Sequence, residues 1–210
     1  MDVTVLGAGA MGSALTIPLF DNDHTISLWG STYDEEILSK LHDGEEHPRI
    51  GVRLPEEIHL YDPEELGEAI DGCDILVLGV SSGGVVPMSK RIVPHLTEQN
   101  TVVSIAKGIL EYEGRPWLIH EGIREVLRSE GMDSLPAVVC MGGPSIATEL
   151  AERSRTAVGF ASDDQAALDE TVEGFETDYF NLKPTADVRG LETCVGFKNA
   201  YSVSLAWPTG

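Results

Sequence analysis

Short apolar runs alternate along this chain with stretches whose apolar residues return at helical spacing, and that alternation predicts the architecture. Residues 2–6 open as a strand, and the apolar stretch from Met11 to Phe20 reads as a helix. Pro18 removes one donor inside it, which predicts a bend or an early end. A turn over Asp21 to His24 leads into a strand from His24 to Trp29, a helix from Asp34 to His42, a polar loop, and an edge strand from Pro55 to Leu60. Asp62 as N-cap and Pro63 at the first position start a helix that ends near Gly72. Asp74 to Val80 is almost continuously apolar, as expected for the middle of a parallel sheet. Beyond it the pattern predicts a helix from Val85 to Pro94, a strand from Thr101 to Ile105, an amphipathic helix from Pro116 to Glu130 and a strand from Ala137 to Cys140. A strand from Thr156 to Phe160, a helix from Asp163 to Phe175 and a short strand from Tyr179 to Leu182 complete the series.

This rhythm predicts an α/β protein in which residues 1–186 form a Rossmann-like, doubly wound, mostly parallel sheet. The final stretch, Leu191 to Trp207, is apolar on nearly every face, which predicts a buried helix with little chain left to bury it. Residues 187–210 therefore read as the first helix of an incomplete, all-α substrate-binding domain, or as a face covered by a dimer partner.

The chemistry gathers where strands end. Gly7-Ala8-Gly9-Ala10-Met11-Gly12 is a G-x-G-x-x-G pattern set between the first strand and the first helix. Gly7 makes the tight turn, Gly9 lets a pyrophosphate approach the backbone, and Gly12 lets the helix pack on the strand, so the pattern predicts a dinucleotide site. The second strand ends at Gly30-Ser31-Thr32, the position that reads the adenosine ribose. Neither a carboxylate nor an arginine stands at that tip; Ser31 and Thr32 suit NAD or NADP, while Asp34 and Glu35 argue mildly against a 2′-phosphate. Ser81-Ser82-Gly83-Gly84 is expected as a loop beside the cofactor. Ala106-Lys107-Gly108 places Lys107 in the crevice, and the strand before Met141 runs into Gly143-Pro144-Ser145, where Ser145 can cap the helix that carries Glu149 and gives a second N-terminus suited to an anion. Lys198 and Asn199 fall in the first turn or two of the last helix, polar groups in apolar surroundings, where a lysine's pKa falls readily. His42 and His47 bracket three acids but lack the spacing of a helical metal pair, so a solvated loop is expected and no metal site.

Composition narrows the partners. Of 210 residues, 42% are hydrophobic, and 14 basic against 35 acidic residues leave a net charge of -21. Such a surface repels nucleic acid and anionic membrane, and its scattered acids point to a solvated acidic surface that salt would screen, as in a salt-loving source. Cys73, Cys140 and Cys194 each sit in apolar surroundings and are expected to be buried, reduced and structural. The chain shows neither a leader segment nor an apolar run of membrane-spanning length, which suggests a cytoplasmic enzyme.

Gly7-Ala8-Gly9-Ala10-Met11-Gly12-Ser13-Ala14-Leu15, Leu28-Trp29-Gly30, Ala106-Lys107-Gly108, Gly143-Pro144-Ser145-Ile146-Ala147-Thr148-Glu149-Leu150 and Gly196-Phe197-Lys198-Asn199, in this order, resemble the NAD(P)-dependent glycerol-3-phosphate dehydrogenases. The resemblance implies reversible hydride transfer between NAD or NADP and C2 of sn-glycerol 3-phosphate, a small-molecule phosphate substrate, by a homodimer. It implies that Lys198 accepts the proton of the C2 hydroxyl, with Asn199 beside it at the substrate. Lys107 would meet both nicotinamide and substrate, Gly143 and Ser145 the substrate, and Ala147 the cofactor. Ala10 and Met11 would lie on the pyrophosphate side and Ser31 at the adenosine ribose. Members of that family continue into a helical domain with an acidic partner for the lysine and an Arg-Asn pair for the phosphate. Two other readings stand beside this one: a nucleotide-binding module without turnover, and a related dehydrogenase or reductase of another small hydroxy acid, such as a ketopantoate-reductase-like protein.

Overall fold

A computed structural model describes the backbone of residues 1–206 and the side chains of residues 1–197. The strands are β1 (Asp2–Leu6), β2 (Thr25–Trp29), β3 (His59–Tyr61), β4 (Ile75–Leu78), β5 (Thr101–Ser104), β6 (Ile109–Tyr112), β7 (Arg115–Leu118), β8 (Ala137–Gly142), β9 (Thr156–Ala161) and β10 (Phe180–Thr185). The helices are α1 (Ala10–Asp21), α2 (Glu35–His42), α3 (Leu66–Ile70), α4 (Ser82–Ile92), α5 (Ile119–Ser129), α6 (Ala147–Ala151), α7 (Gln165–Phe175) and α8 (Val188–Ala206).

Among the described residues eight strands form one sheet in the order β10-β9-β8-β5-β4-β1-β2-β3. Every neighbouring pair is parallel except β8 and β9, so the sheet is doubly wound and mostly parallel as the pattern predicts. β1 is an interior strand, sixth in that order, with Leu6 between Trp29 of β2 and Leu78 of β4. Because successive residues of a strand point to opposite faces, each central strand feeds two cores. Val3, Val5, Val77, Val103 and Val139 join Leu15, Ile17 and Leu19 of α1 on one side. Leu6, Leu76, Leu78, Val102 and Val138 join Val85, Ile92, Ile119 and Ile123 of α4 and α5 on the other. A strand buried on both faces reads as an unbroken apolar run, which is the character of Ile75–Leu78.

Several boundaries differ from the expectation. Pro18 is buried inside α1, and the helix runs on to Asp21. The segment before α5 is an antiparallel hairpin of β6 and β7, so the helix begins at Ile119 and not at Pro116. Its turn residues Glu113 and Gly114 have φ of 52° and 70°, the left-handed pair that a two-residue hairpin requires. β3 is confined to His59–Tyr61. Ser82-Gly83-Gly84 is not a loop but the first turn of α4. α8 starts at Val188, where Asp187 Oδ1 accepts from the Gly190 N–H at 2.8 Å, so Lys198 falls in its third turn. Among the described residues of α8, Val188 and Glu192 are buried while Phe197 is 51% exposed. Cys73 and Cys140 are buried as expected, whereas Cys194 is exposed on α8. No helix among the described residues is long and apolar enough to cross a membrane.

Candidate functional site

The glycine loop sits at the carboxyl end of β1, between β4 and β2 in the sheet. Gly7 donates to the Trp29 carbonyl at 2.8 Å with φ of +117°, and a Cβ there would lie 2.7 Å from the Gly79 carbonyl oxygen at the end of β4. A Cβ on Gly12 would run into the carbonyl oxygen of Gly7, so both outer glycines are demanded by packing. Gly9 differs. It is the N-cap of α1 with φ of -72°, and a Cβ there would meet nothing within 4 Å except Arg49 Nη1 at 4.0 Å. The space over Gly9 is open, no side chain caps α1, and its first turn carries no acid. In a chain of 35 acidic residues that leaves the unpaired N–H groups of a helix N-terminus facing an open recess whose nearest side chain is Arg49, a fit for the pyrophosphate of a dinucleotide.

Two clefts open from this loop. One, of about 600 Å³, runs toward the tip of β2 and is bordered by Gly7, Gly9, Ser31, Tyr33, Arg49 and Arg91. The other, of about 410 Å³, is bordered by Gly9, Ala10, Met11, Arg49, Ser82 and Lys107. A larger groove of about 740 Å³, edged by Gly67, Asp74 and His95, lies at the amino ends of β4 and β5, opposite the crevice in which α/β sheets bind ligands.

Arg49 borders both clefts although nothing in its local sequence marks it. His47, expected in a solvated loop, is fully buried instead. Its Nδ1 accepts from the Arg49 N–H at 3.1 Å, so the proton sits on Nε2, which donates to the Ala8 carbonyl at 3.0 Å. The ring thereby joins the glycine loop to the turn that carries Arg49. Burial holds its pKa below the usual value. His42 lies apart, at the end of α2, with Nε2 3.4 Å from Asp62. At the tip of β2, Asp34 is only 9% exposed and accepts from the Ser31 N–H at 3.0 Å and from Ser31 Oγ at 2.8 Å.

At the other end of the site, Lys107 is exposed three residues beyond β5 and shares its cleft with Ala10 and Met11. Ser145 Oγ approaches Met11 Sδ at 3.8 Å, which brings the Gly143-Pro144-Ser145 turn to the glycine loop. Ile146, not Ser145, is the N-cap of α6, and Ala147 is its first residue. That helix has five residues, so the second anion-suited N-terminus is a single turn. Gly143 packs on Val158, and a Cβ on Gly196 of α8 would stand 3.4 Å from Gly108 Cα. The structure thus brings together Gly7, Gly9, Ala10, Met11, Gly12, Lys107, Ser145 and Ala147, with Ser31 at the far end of the adenosine cleft. The side chains of Lys198 and Asn199 lie outside the described residues; their backbone is on α8, two and three residues beyond Gly196.

Beneath this floor lies a cluster that sequence reading missed. Glu192 of α8, 7% exposed, accepts from the His120 N–H at 3.0 Å, from His120 Nδ1 at 2.6 Å and from Cys140 Sγ at 3.0 Å. Burial first, and then the Glu192 charge, push the Cys140 thiol well above its usual pKa, so it stays protonated and donates. One carboxylate therefore pins α8 to α5 and β8. The three donor atoms lie within 4.8 Å of one another, but their hydrogen bonds already satisfy the carboxylate.

Residues 2–168 match the family described as NAD-dependent glycerol-3-phosphate dehydrogenase N-terminus. The NADP(+)-dependent glycerol-3-phosphate dehydrogenase of Archaeoglobus fulgidus is 38% identical over 210 residues, all of this chain and 61% of that protein. The glycerol-3-phosphate dehydrogenase [NAD(P)+] of Geobacillus thermodenitrificans is 32% identical over 206 residues, 97% of this chain and 57% of that one. Among solved structures, the glycerol-3-phosphate dehydrogenase of Coxiella burnetii shares the fold with a TM-score of 0.82 at 24% identity, over 97% of this chain and 59% of that chain. The enzyme of Plasmodium falciparum does so with a TM-score of 0.84 at 19% identity, over 100% of this chain and 60% of that chain. The chain thus spans about three fifths of the length of the curated relatives it matches. With that match and the glycine loop at its expected place, the chain belongs to the NAD-dependent glycerol-3-phosphate dehydrogenase family.

Proposed function

We propose that the protein transfers a hydride reversibly between NAD(P) and C2 of sn-glycerol 3-phosphate, giving dihydroxyacetone phosphate. The observation that carries this reading is the convergence, on one crevice, of an open, acid-free helix N-terminus with Lys107 and Ser145. The backbone of the glycine loop and α1 holds the pyrophosphate, and Arg49 adds a cation above Gly9. When bound, the nicotinamide supplies the reversible hydride acceptor. Lys198 takes the proton from the C2 hydroxyl as that carbon becomes a carbonyl, and returns it in the reverse direction. Lys107 and Ser145 orient the substrate oxygens, Gly143 leaves room for them, and Asn199 adds a polar contact. The curated relatives carry this activity in their names, which supports the same chemistry here.

In this reading residues 1–186 are the dinucleotide-binding domain and α8 opens a helical substrate domain, held in place by Glu192. The protein acts as a cytoplasmic homodimer, for which light scattering and fractionation are the checks. The decisive assay is dihydroxyacetone-phosphate-dependent oxidation of NADPH and NADH at high salt. Removing a general base costs about 10²–10⁴-fold, so Lys198→Ala is expected to lose the rate by that factor while binding cofactor normally. A Lys198→Ala protein that keeps most of the rate overturns the assignment.

A further inference from the structure

We infer that the adenosine cleft is built to take a 2′-phosphate, so that the protein selects NADP over NAD, with Arg91 as the residue that makes the choice. The inference rests on the dinucleotide site proposed above and concerns the end of it farthest from the chemistry. In a doubly wound sheet the tip of β2 meets the adenosine ribose. There a carboxylate accepts from a free 2′-OH, whereas an arginine accommodates a 2′-phosphate.

The acid that stands near that tip does not do the former. Asp34 is turned inward, with Oδ2 accepting both the N–H and the hydroxyl of Ser31, and it is 9% exposed. Those bonds orient the loop and engage the one carboxylate that borders this cleft among the described residues; the exposed Glu35 beside it does not line it. The cleft instead receives two cations from elsewhere in the chain: Arg49 from the loop beyond α2, and Arg91 from the last turn of α4. Neither is ion-paired among the described residues, although acids outnumber bases by 35 to 14. The Arg91 guanidinium lies 5.1 Å from the ring of Trp29, the last residue of β2. That contact places the charge beside the strand tip, and Arg91 is exposed. A planar, permanently charged donor fork of this kind matches a phosphate. Ser31 and Thr32 add hydroxyls on the same wall, and Tyr33, 93% exposed, adds a ring against which adenine can lie.

The two arginines divide the work. Arg49 borders both clefts and stands over Gly9, so its charge serves the pyrophosphate common to both cofactors. Arg91 borders the adenosine cleft and not the other, so its charge serves the group that only NADP carries.

The test is direct binding, by calorimetry or fluorescence, of NADPH and NADH to the wild-type protein and to Arg91→Gln, Arg91→Ala and Arg49→Gln at one fixed salt concentration. A charge-assisted hydrogen bond corresponds to roughly 10–100-fold in affinity, so NADPH should bind wild type at least about 10-fold more tightly than NADH. Arg91→Gln keeps a polar side chain while removing the charge and the guanidinium over Trp29, and should abolish most of that ratio by weakening NADPH alone. Arg49→Gln should weaken both cofactors by similar factors and preserve the ratio. Equal wild-type affinities, or an Arg91→Gln protein that melts as wild type and keeps its preference, overturn the specificity assignment while leaving the dinucleotide site intact. Failure of both cofactors to bind wild type overturns the site itself.

Discussion

Gly7→Ala tests the glycine loop where its geometry is tightest. Two costs arise in the folded state. An L-residue at φ of +117° pays backbone strain of about 1–3 kcal/mol. Its Cβ would also stand 2.7 Å from the carbonyl oxygen of Gly79, a backbone atom in the adjoining central strand end that cannot rotate away. Forcing apart a packed contact of that kind costs about 1–3 kcal/mol more, so the substitution should destabilise by about 2–6 kcal/mol. Against a typical total of about 5–15 kcal/mol this is a large fraction, and for a chain of this size it lowers Tm by roughly 5–20 °C. Relaxing the clash separates β1 from β4 and tilts the start of α1, so pyrophosphate affinity falls with stability. Thermal unfolding followed by circular dichroism, with NADPH titration of the same sample below its transition, reads both effects. If Gly7→Ala melts within about 2 °C of wild type, a smaller shift than 1 kcal/mol should give, the packing argument for this loop is wrong.

Gly9→Ala should do the opposite: with φ of -72° and open space around its Cβ, it should leave Tm unchanged and weaken NADPH binding at least about 10-fold in calorimetry, because the methyl fills the pyrophosphate's approach. His47 gives a pH dependence whose sign follows from its buried, neutral ring. Its folded pKa lies below the usual 6.5, so the unfolded chain takes up the proton first; the stability it contributes is complete above 6.5 and is lost as pH falls toward the folded value. Tm measured from about pH 7 down to about pH 5 should therefore fall more steeply for wild type than for the non-titrating His47→Gln. Glu192→Ala removes the acceptor of three buried donors and should cost about 3 kcal/mol or more in denaturant unfolding, with an unchanged value counting against the cluster's role in holding α8.

What was legible in the sequence was what periodicity encodes. Ile75–Leu78 is buried on both faces and therefore unbroken in its apolar character, and the glycine loop is local in sequence, so both were visible without coordinates. The hairpin at β6 and β7 was not. Arg115-Pro116-Trp117 runs straight into an amphipathic helix, and the left-handed pair Glu113-Gly114 that reverses the chain is a weak signal by itself. Chemistry supplied across long stretches of chain was hidden as well. Arg49 and Arg91 meet in one cleft only because α2, its following loop and α4 converge on the β2 tip. Asp34 illustrates the converse: its position near that tip argued against a phosphate, and only its hydrogen bonds to Ser31 show that the carboxylate is already engaged. His47 looked like a loop residue because its neighbours Glu45, Glu46 and Arg49 are exposed, while its own partner, Ala8, is 39 positions away.

The central claim is that this crevice carries hydride chemistry at C2 of a three-carbon phosphate. Incubating the protein with dihydroxyacetone phosphate and NADPH deuterated at nicotinamide C4, in separate samples for each face, and locating the label by mass spectrometry and NMR tests it most directly. The account predicts sn-glycerol 3-phosphate with one deuterium on C2 from one of the two labelled cofactors, formed about 10²–10⁴-fold more slowly when Lys198→Ala replaces wild type. Cofactor that binds while no deuterium reaches C2 from either label would contradict it.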